Sequence, residues 1–171
     1  HGLRVEAVVF EGPGVYSIIM KGRNLDALNA QGGQFFSWRF MAPRQWWISH
    51  PYSLSAAPTN DYIRVTVKSL GDHSHEIREL KVGTRVFFEG PYGTFVADKA
   101  VKGHVVLIGG GVGITPLRAL LEEFDATKEI DVLFRASTEA DLVLRGELDA
   151  LAKARGARVH YLVGSRKEHP M

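Results

Sequence analysis

The run His104-Val105-Val106-Leu107-Ile108-Gly109-Gly110-Gly111-Val112-Gly113-Ile114-Thr115-Pro116, followed by Leu117-Arg118-Ala119-Leu120-Leu121, decides how the rest of the chain is read. A short apolar stretch, four glycines within five residues and an apolar pattern at helical spacing describe a strand, a tight turn and a helix. Glycines let the backbone approach a diphosphate closely and take up positive φ, while the free N–H groups of the first helical turn point at the anion. Thr115 is expected to cap the first amides and Pro116 to sit at the first helical position. The spacing departs from the Rossmann fingerprint, which needs Gly109, Gly111 and a small residue at 114, where this chain has Ile114. Two readings stand at this point: a cradle for the diphosphate of a dinucleotide, and a glycine-rich strand-to-helix turn without a ligand.

With 171 residues the chain has room for one large or two small domains with their own cores. It is 45% hydrophobic and 23% charged, as a globular protein is. A net charge of +2 argues against a dedicated nucleic-acid surface. There are no cysteines, so these residues hold no disulfide, thiolate metal site or cysteine nucleophile. His73 and His75 read as loop residues in preference to zinc ligands, since no third ligand lies close in sequence. The longest apolar candidate for a membrane span, 105–121, is broken by glycines, Pro116 and Arg118.

Outward from the glycine run, the chain divides by period. Segments 5–10, 15–20, 34–41, 46–54, 62–70 and 85–89 read as strands, with clear alternation in Ile63, Val65 and Val67 and turn chemistry at Gly12-Pro13-Gly14 and Pro58-Thr59-Asn60-Asp61. Six strands at short spacing predict a small antiparallel barrel. After Ala97-Asp98-Lys99-Ala100 strands at 104–108, 130–134 and 159–163 alternate with helices at 116–124 and 142–154, the second placing Leu144, Leu148 and Leu151 on one face. That alternation predicts a parallel sheet with covered faces. The expected architecture is a six-stranded antiparallel β-barrel over 1–99, followed by a parallel-sheet α/β domain over 100–171 that is incomplete at its C-terminal end.

Three further segments carry chemistry. His50-Pro51-Tyr52-Ser53 ends a barrel strand and offers an aromatic face beside a hydroxyl, suited to a flat heteroaromatic ring or simply to barrel packing. Val67-Lys68-Ser69-Leu70-Gly71-Asp72-His73-Ser74 runs from a strand into a loop and reads equally as a second diphosphate site or as a helix capped by Ser74. Gly90-Pro91-Tyr92-Gly93-Thr94-Phe95 reads as a structural corner with Phe95 packed beneath it.

Taken in order, Gly33 before Gln34-Phe35-Phe36, then His50 to Ser53, Gly71 to Ser74, Gly90 to Gly93 and Gly109 to Pro116, the segments resemble the ferredoxin–NADP reductase superfamily over essentially the whole chain. The resemblance implies an FAD-binding barrel and an NADP-binding α/β domain. Tyr52 and Ser53 are expected against the flavin ring, with His50 where an arginine is usual and Pro51 between them. Val67, Lys68, Gly71 and Ser74 are expected near the FAD diphosphate. Gly110, Gly111, Val112, Gly113, Ile114 and Thr115 are expected on the diphosphate and ribose of the nicotinamide dinucleotide, with Ser53 and Thr115 flanking the reacting rings. Ser165 and Arg166, helped by Arg135 and Ser137, match the position that grips the 2′-phosphate of NADPH, for which the planar guanidinium fork is well suited.

The histidine-proline-aromatic form resembles the ferric reductase and NADPH oxidase branch most closely. That branch implies hydride transfer from NADPH to FAD and single-electron delivery to haem, ferric iron or oxygen, with the cofactors supplying the chemistry. It also implies a haem-bearing transmembrane domain in the same full-length chain, placing this module on the cytoplasmic side of the plasma membrane. A chain opening at His1 and closing at Met171 reads as part of such a protein. The superfamily's last block, a cysteine-glycine pair and a terminal aromatic, has no counterpart here, so these residues are expected to hold FAD and to transfer hydride poorly. Alternatives are a soluble flavodoxin- or ferredoxin-reductase-like enzyme serving a small electron-transfer protein, and a non-catalytic nucleotide-binding or sensing module.

Overall fold

Apolar alternation in the first half of the chain builds two three-stranded antiparallel sheets. A computed structural model describes residues 1–43, 46–69, 76–100 and 103–164. Strands β1 (Arg4–Gly12), β2 (Val15–Lys21) and β5 (Ile63–Lys68) form one sheet in the order β1-β2-β5; β3 (Phe35–Phe40), β4 (His50–Ser53) and β6 (Val86–Tyr92) form the other in the order β4-β3-β6. Bridges between Arg4 and Arg85 and between Leu54 and Val65 close the two sheets onto each other, giving the expected six-stranded barrel. Inward-facing Ile18, Met20, Phe36, Trp38, Phe40, Leu54, Ile63 and Val65 fill it. The indole of Trp38 is buried but not unpaired, because its N–H donates to the Tyr52 carbonyl at 3.0 Å.

Two strand limits differ from expectation. The fourth strand begins at His50, not at 46, because Trp46 and Trp47 lie in a turn with their rings exposed and edge-on to each other. The sixth runs on through Gly90 and Pro91, which the β3 ladder skips as a bulge between the Ser37–Glu89 and Phe35–Tyr92 pairs. The corner is therefore strand, and Phe95 is 54% exposed instead of packed beneath it.

The second half forms a parallel sheet, order β7 (His104–Gly110), β8 (Glu129–Ala136), β9 (Arg158–Val163), with α1 (Ile114–Glu123) and α2 (Arg145–Arg155) as crossovers. Ile114, Leu117, Leu120, Leu121, Val132, Phe134 and Leu148 form its core. Among the described residues only one sheet face is covered: Val106 and Ile108 on the other are 52% and 58% exposed. The expectation of two covered faces is corrected accordingly. Both crossovers join neighbouring strands in sequence order, so they pack on the same side.

Both helix starts also move. A 3-10 turn at Gly111–Gly113 runs straight into α1, so the helix begins before Pro116, Thr115 lies inside its first turn, and no side chain caps it. In α2 the expected start at 142 is displaced to Arg145 because Leu144 takes a left-handed φ of +59°, which a helix cannot run through. Leu142, Val143 and Leu144 are buried nonetheless, and burial worth about 1.5–3 kcal/mol per large aliphatic side chain offsets that strain of about 1–2 kcal/mol.

The two halves press together closely. A Cβ at Gly12 on the β1–β2 turn would lie 3.1 Å from Val143 Cγ1, and one at Gly32 would lie 2.6 Å from the Ala119 carbonyl oxygen of α1. Gly33 beside it has φ +86° and backs onto the Phe95 carbonyl, so only glycine fits there. Among the described residues no helix is long and apolar enough to cross a membrane.

Candidate functional site

The carboxyl ends of the parallel strands open into a cleft of about 710 Å³. Its walls include Ile108, Gly109, Gly110, Gly111, Arg135, Ala136, Ser137, Asp141 and Gly164, together with Lys68 from the barrel. Open α/β sheets bind ligands at this end of the strands. The glycine run explains the shape. A Cβ at Gly109 would lie 2.8 Å from Leu117 Cδ1 and 3.3 Å from Ile114 Cα, so Gly109 lets α1 pack against β7. At Gly111 and Gly113 nothing stands within 4 Å of an added Cβ, which leaves the loop backbone bare toward the opening. A bare loop feeding a helix N-terminus, with two cationic side chains on the walls, fits the phosphate groups of a dinucleotide.

The expected nucleotide residues therefore separate into two groups. Gly110, Gly111, Arg135 and Ser137 share the cleft. Ile114 and Thr115 are buried, Ile114 within the α/β core, so Ile114 offers a ligand its backbone and not its side chain. Val112 packs against the same core. Ser165 and Arg166 lie outside the described residues, as do Gly71, Ser74, His73 and His75.

On the barrel side, β4 pairs with β3 so that Ser53 lies opposite Phe35, Tyr52 opposite Phe36 and Pro51 opposite Ser37. His50 and Tyr52, two residues apart, project to the same side and stack with centroids 5.4 Å apart and planes 7° from parallel. Burial pushes the Tyr52 hydroxyl up to about 12, so it stays protonated and the ring is neutral. One of its faces is taken by His50, which leaves the rest of the half-buried ring, and half-buried Ser53, as the surface a flavin can use.

Strand β5 is buried at every position from Ile63 to Val67 because each of its faces meets a different partner. Ile63, Val65 and Val67 fill the barrel, so Val67 can reach a ligand only through its backbone. Arg64, Thr66 and Lys68 point outward to the α/β half, and Lys68 reaches the nucleotide cleft, 3.7 Å from Asp141. Sequence reasoning missed Asp141 and Gly164 as cleft residues, and missed Arg64, Arg118 and Glu147. The available signal was the charged Arg64 within an apolar alternating strand; nothing in the sequence pairs it with a residue 83 positions away.

Residues 4–96 match the FAD-binding domain family, and residues 107–170 match the oxidoreductase NAD-binding domain family. The chain is 31% identical over 134 residues to NADH-cytochrome b5 reductase 2 of Yarrowia lipolytica, covering 73% of this chain and 46% of that protein. It is 28% identical over 169 residues to the plasma membrane-associated coenzyme Q6 reductase PGA3 of Saccharomyces cerevisiae, covering 94% and 54% respectively. The flavohem-like FAD/NAD-binding domain of nitric oxide dioxygenase from Vibrio cholerae shares the fold, with a TM-score of 0.78 at 22% identity over 99% of this chain and 81% of that one. The chain spans about half the length of these two curated relatives. Barrel, glycine loop and cleft thus stand in the order of the two matched domains, and the chain belongs to the FAD-binding domain family over residues 4–96, followed by the oxidoreductase NAD-binding domain.

Proposed function

We propose that this chain is the cofactor-binding part of an NAD(P)H-dependent FAD oxidoreductase that passes electrons to haem or another one-electron acceptor. The observation that carries the reading is the bare glycine loop opening on a cleft walled by Arg135 and Lys68, packed against a barrel that presents Tyr52 and Ser53. A bound flavin supplies the exchange between two-electron and one-electron steps. The protein's own residues bind and orient. The loop amides and Arg135 hold the dinucleotide phosphates, Tyr52 places the flavin ring, and Ser53 and buried Thr115 stand as the groups nearest the reacting rings. Residues 1–99 serve the flavin and 100–171 the nucleotide, a division supported by two buried clusters, of which the second also takes in Val15 and Ala97.

NADPH is preferred over NADH in this reading. Arg135 makes no ion pair or side-chain hydrogen bond among the described residues and offers a planar guanidinium fork to a phosphate, and Ser165 and Arg166 follow β9 in sequence. The ferric reductase-like branch is supported by His50 at the arginine position. With it comes a haem-bearing transmembrane domain as partner, on whose cytoplasmic side this module sits. The test is reduction of ferricyanide by NADPH with and without added FAD. Turnover that requires FAD and follows NADPH more strongly than NADH supports the reading. A chain that retains no FAD but still binds dinucleotide supports the sensing-module alternative.

A further inference from the structure

Charged side chains from both halves meet on the outer face of β5. Arg64 Nη1 and Nη2 donate to Glu147 Oε1 and Oε2 at 2.8 and 2.9 Å. Arg118 Nε lies 2.8 Å from Glu147 Oε2, an ion-pair contact off the N–H direction. One helical turn along α1, Arg118 Nη1 stands 2.7 Å from Glu122 Oε2, and Glu122 accepts from the Ala57 amide of the barrel. Both arginines also reach one backbone carbonyl, that of Ser55: Arg64 Nη2 at 2.8 Å and Arg118 Nη1 at 3.3 Å. The Ser55 hydroxyl accepts from Arg64 Nε at 3.2 Å and from Thr66 Oγ1 at 2.7 Å.

The place of this cluster gives it a consequence. Ser55 lies two residues beyond Ser53, and Arg118 three residues beyond Thr115, so the cluster ties the segment just after β4 to the second turn of α1. Besides this cluster and the single longer Lys68–Asp141 ion pair at 3.7 Å, the halves meet in apolar and backbone packing, such as Gly12 under Val143 and Gly32 under Ala119, which limits distance but not direction. A bidentate arginine–carboxylate fork limits both. Arg64 and Arg118 are only 8% and 7% exposed, so their desolvation consumes much of the Coulombic gain and the pairing contributes orientation more than stability. Burial pushes the Glu147 carboxyl up, but the Arg64 hydrogen bond and the charges of Arg64 and Arg118 outweigh it and hold the group below its ordinary value.

We propose that Glu147 is a positioning residue: by forking onto Arg64 and pairing with Arg118 it fixes the direction of α1 and its glycine loop relative to the barrel, and so sets the approach of the nicotinamide to the flavin. The proposal rests on the function proposed above.

The test uses the FAD-loaded chain and the variant Glu147→Gln, which keeps shape and removes charge. Because the sequence has no cysteine, Val82→Cys on the barrel and Lys153→Cys on α2, both exposed, take a spin-label pair that reports the angle between the halves without turnover. The expected result is a shifted or broadened label distance, dissociation constants for FAD and NADPH within about threefold of the parent, and a saturating rate of flavin reduction lowered about tenfold or more. Arg64→Lys retains charge but cannot grip both carboxylate oxygens; it gives the same changes at smaller size and decides the matter if Glu147→Gln does not fold. An unchanged label distance with an unchanged saturating rate overturns the proposal. So does a loss of activity confined to weaker cofactor binding. A parent chain that binds neither FAD nor NADPH overturns the proposed function instead, and the label distances still decide whether Glu147 orients the halves.

Discussion

Lys68 Nζ stands 3.7 Å from Asp141 Oδ1, joining the barrel to the α/β half at the cleft that holds the bare glycine loop. The Thr138 hydroxyl donates to Asp141 at 2.8 Å, and that bond, with the charge of Lys68, keeps the carboxyl below its ordinary value and ionised at neutral pH. An anion on a wall suited to phosphates opposes the ligand and occupies one of its two cations. Asp141→Asn is therefore expected to tighten NADPH and NADH binding alike, and Lys68→Ala to loosen both, each by about 2–5-fold and less at high salt. Fluorescence titration at two ionic strengths reads this directly. No change in either variant would place the dinucleotide elsewhere.

The 2′-phosphate assignment separates the two nucleotides. Arg135→Ala and Arg166→Ala each remove a charge-assisted donor of about 1.5–3 kcal/mol, so NADPH affinity is expected to fall about 10–100-fold while NADH affinity barely moves. Equal losses for both nucleotides would move these arginines to the shared diphosphate.

Tyr52 tests the flavin side. Its stacked, half-buried ring and its hydroxyl pushed up to about 12 mean that the ring and not the oxygen carries the contact. Tyr52→Phe should retain FAD nearly as the parent does, whereas Tyr52→Ala should lose about tenfold in affinity, the size of one aromatic stacking contact. With a raised value the hydroxyl stays neutral through mildly alkaline pH, so FAD retention should be flat there. Gel-filtered samples scored by flavin absorbance give the answer, and a Phe variant as weak as the Ala variant would make the hydroxyl the essential group.

Gly109 and Gly113 should part company. A methyl at Gly109 meets Leu117 and the Ile114 backbone, an overpacking worth about 1–3 kcal/mol, and thermal unfolding of Gly109→Ala should show it. At Gly113 the space is open, so Gly113→Ala should unfold like the parent and reveal itself only as weaker dinucleotide binding.

Asp131 links stability to pH. Arg158 holds its carboxylate at 2.7 and 2.8 Å, with His160 at 2.9 Å and His104 at 2.8 Å, and these bonds set its titration far below the ordinary carboxylate range. A group depressed on folding contributes above its unfolded value, about 3.9, and loses that contribution as pH falls toward its folded value. Asp131→Asn should therefore be less stable than the parent at neutral pH, with the gap closing only in strong acid. A gap that closes on raising the pH would contradict the ion-pair account.

Much of this was legible in the chain itself. Alternation at Ile63, Val65 and Val67 and the change of period after residue 99 announce a barrel followed by a parallel sheet, and four close glycines announce the loop. Limits were less legible, because local context overrode the pattern. Trp46 and Trp47 suit a strand but lie in a turn, and Leu144 suits a helix but takes positive φ. Alternation also tells which residues share a face without telling what covers it. The alternation that turns Ile63, Val65 and Val67 inward puts Arg64, Thr66 and Lys68 on the opposite face of β5, which the α/β half covers, and the Glu147 that receives Arg64 comes from a distant helix.

The most direct measurement is an anaerobic visible spectrum of the FAD-loaded chain before and after NADPH. Slow bleaching of the flavin band is the predicted result, since it requires both cofactors on one chain with their rings in register and these residues are expected to transfer hydride poorly. A yellow protein that NADPH leaves unchanged, although NADPH binds, would contradict the claim that the two halves as packed here deliver the nicotinamide to the flavin.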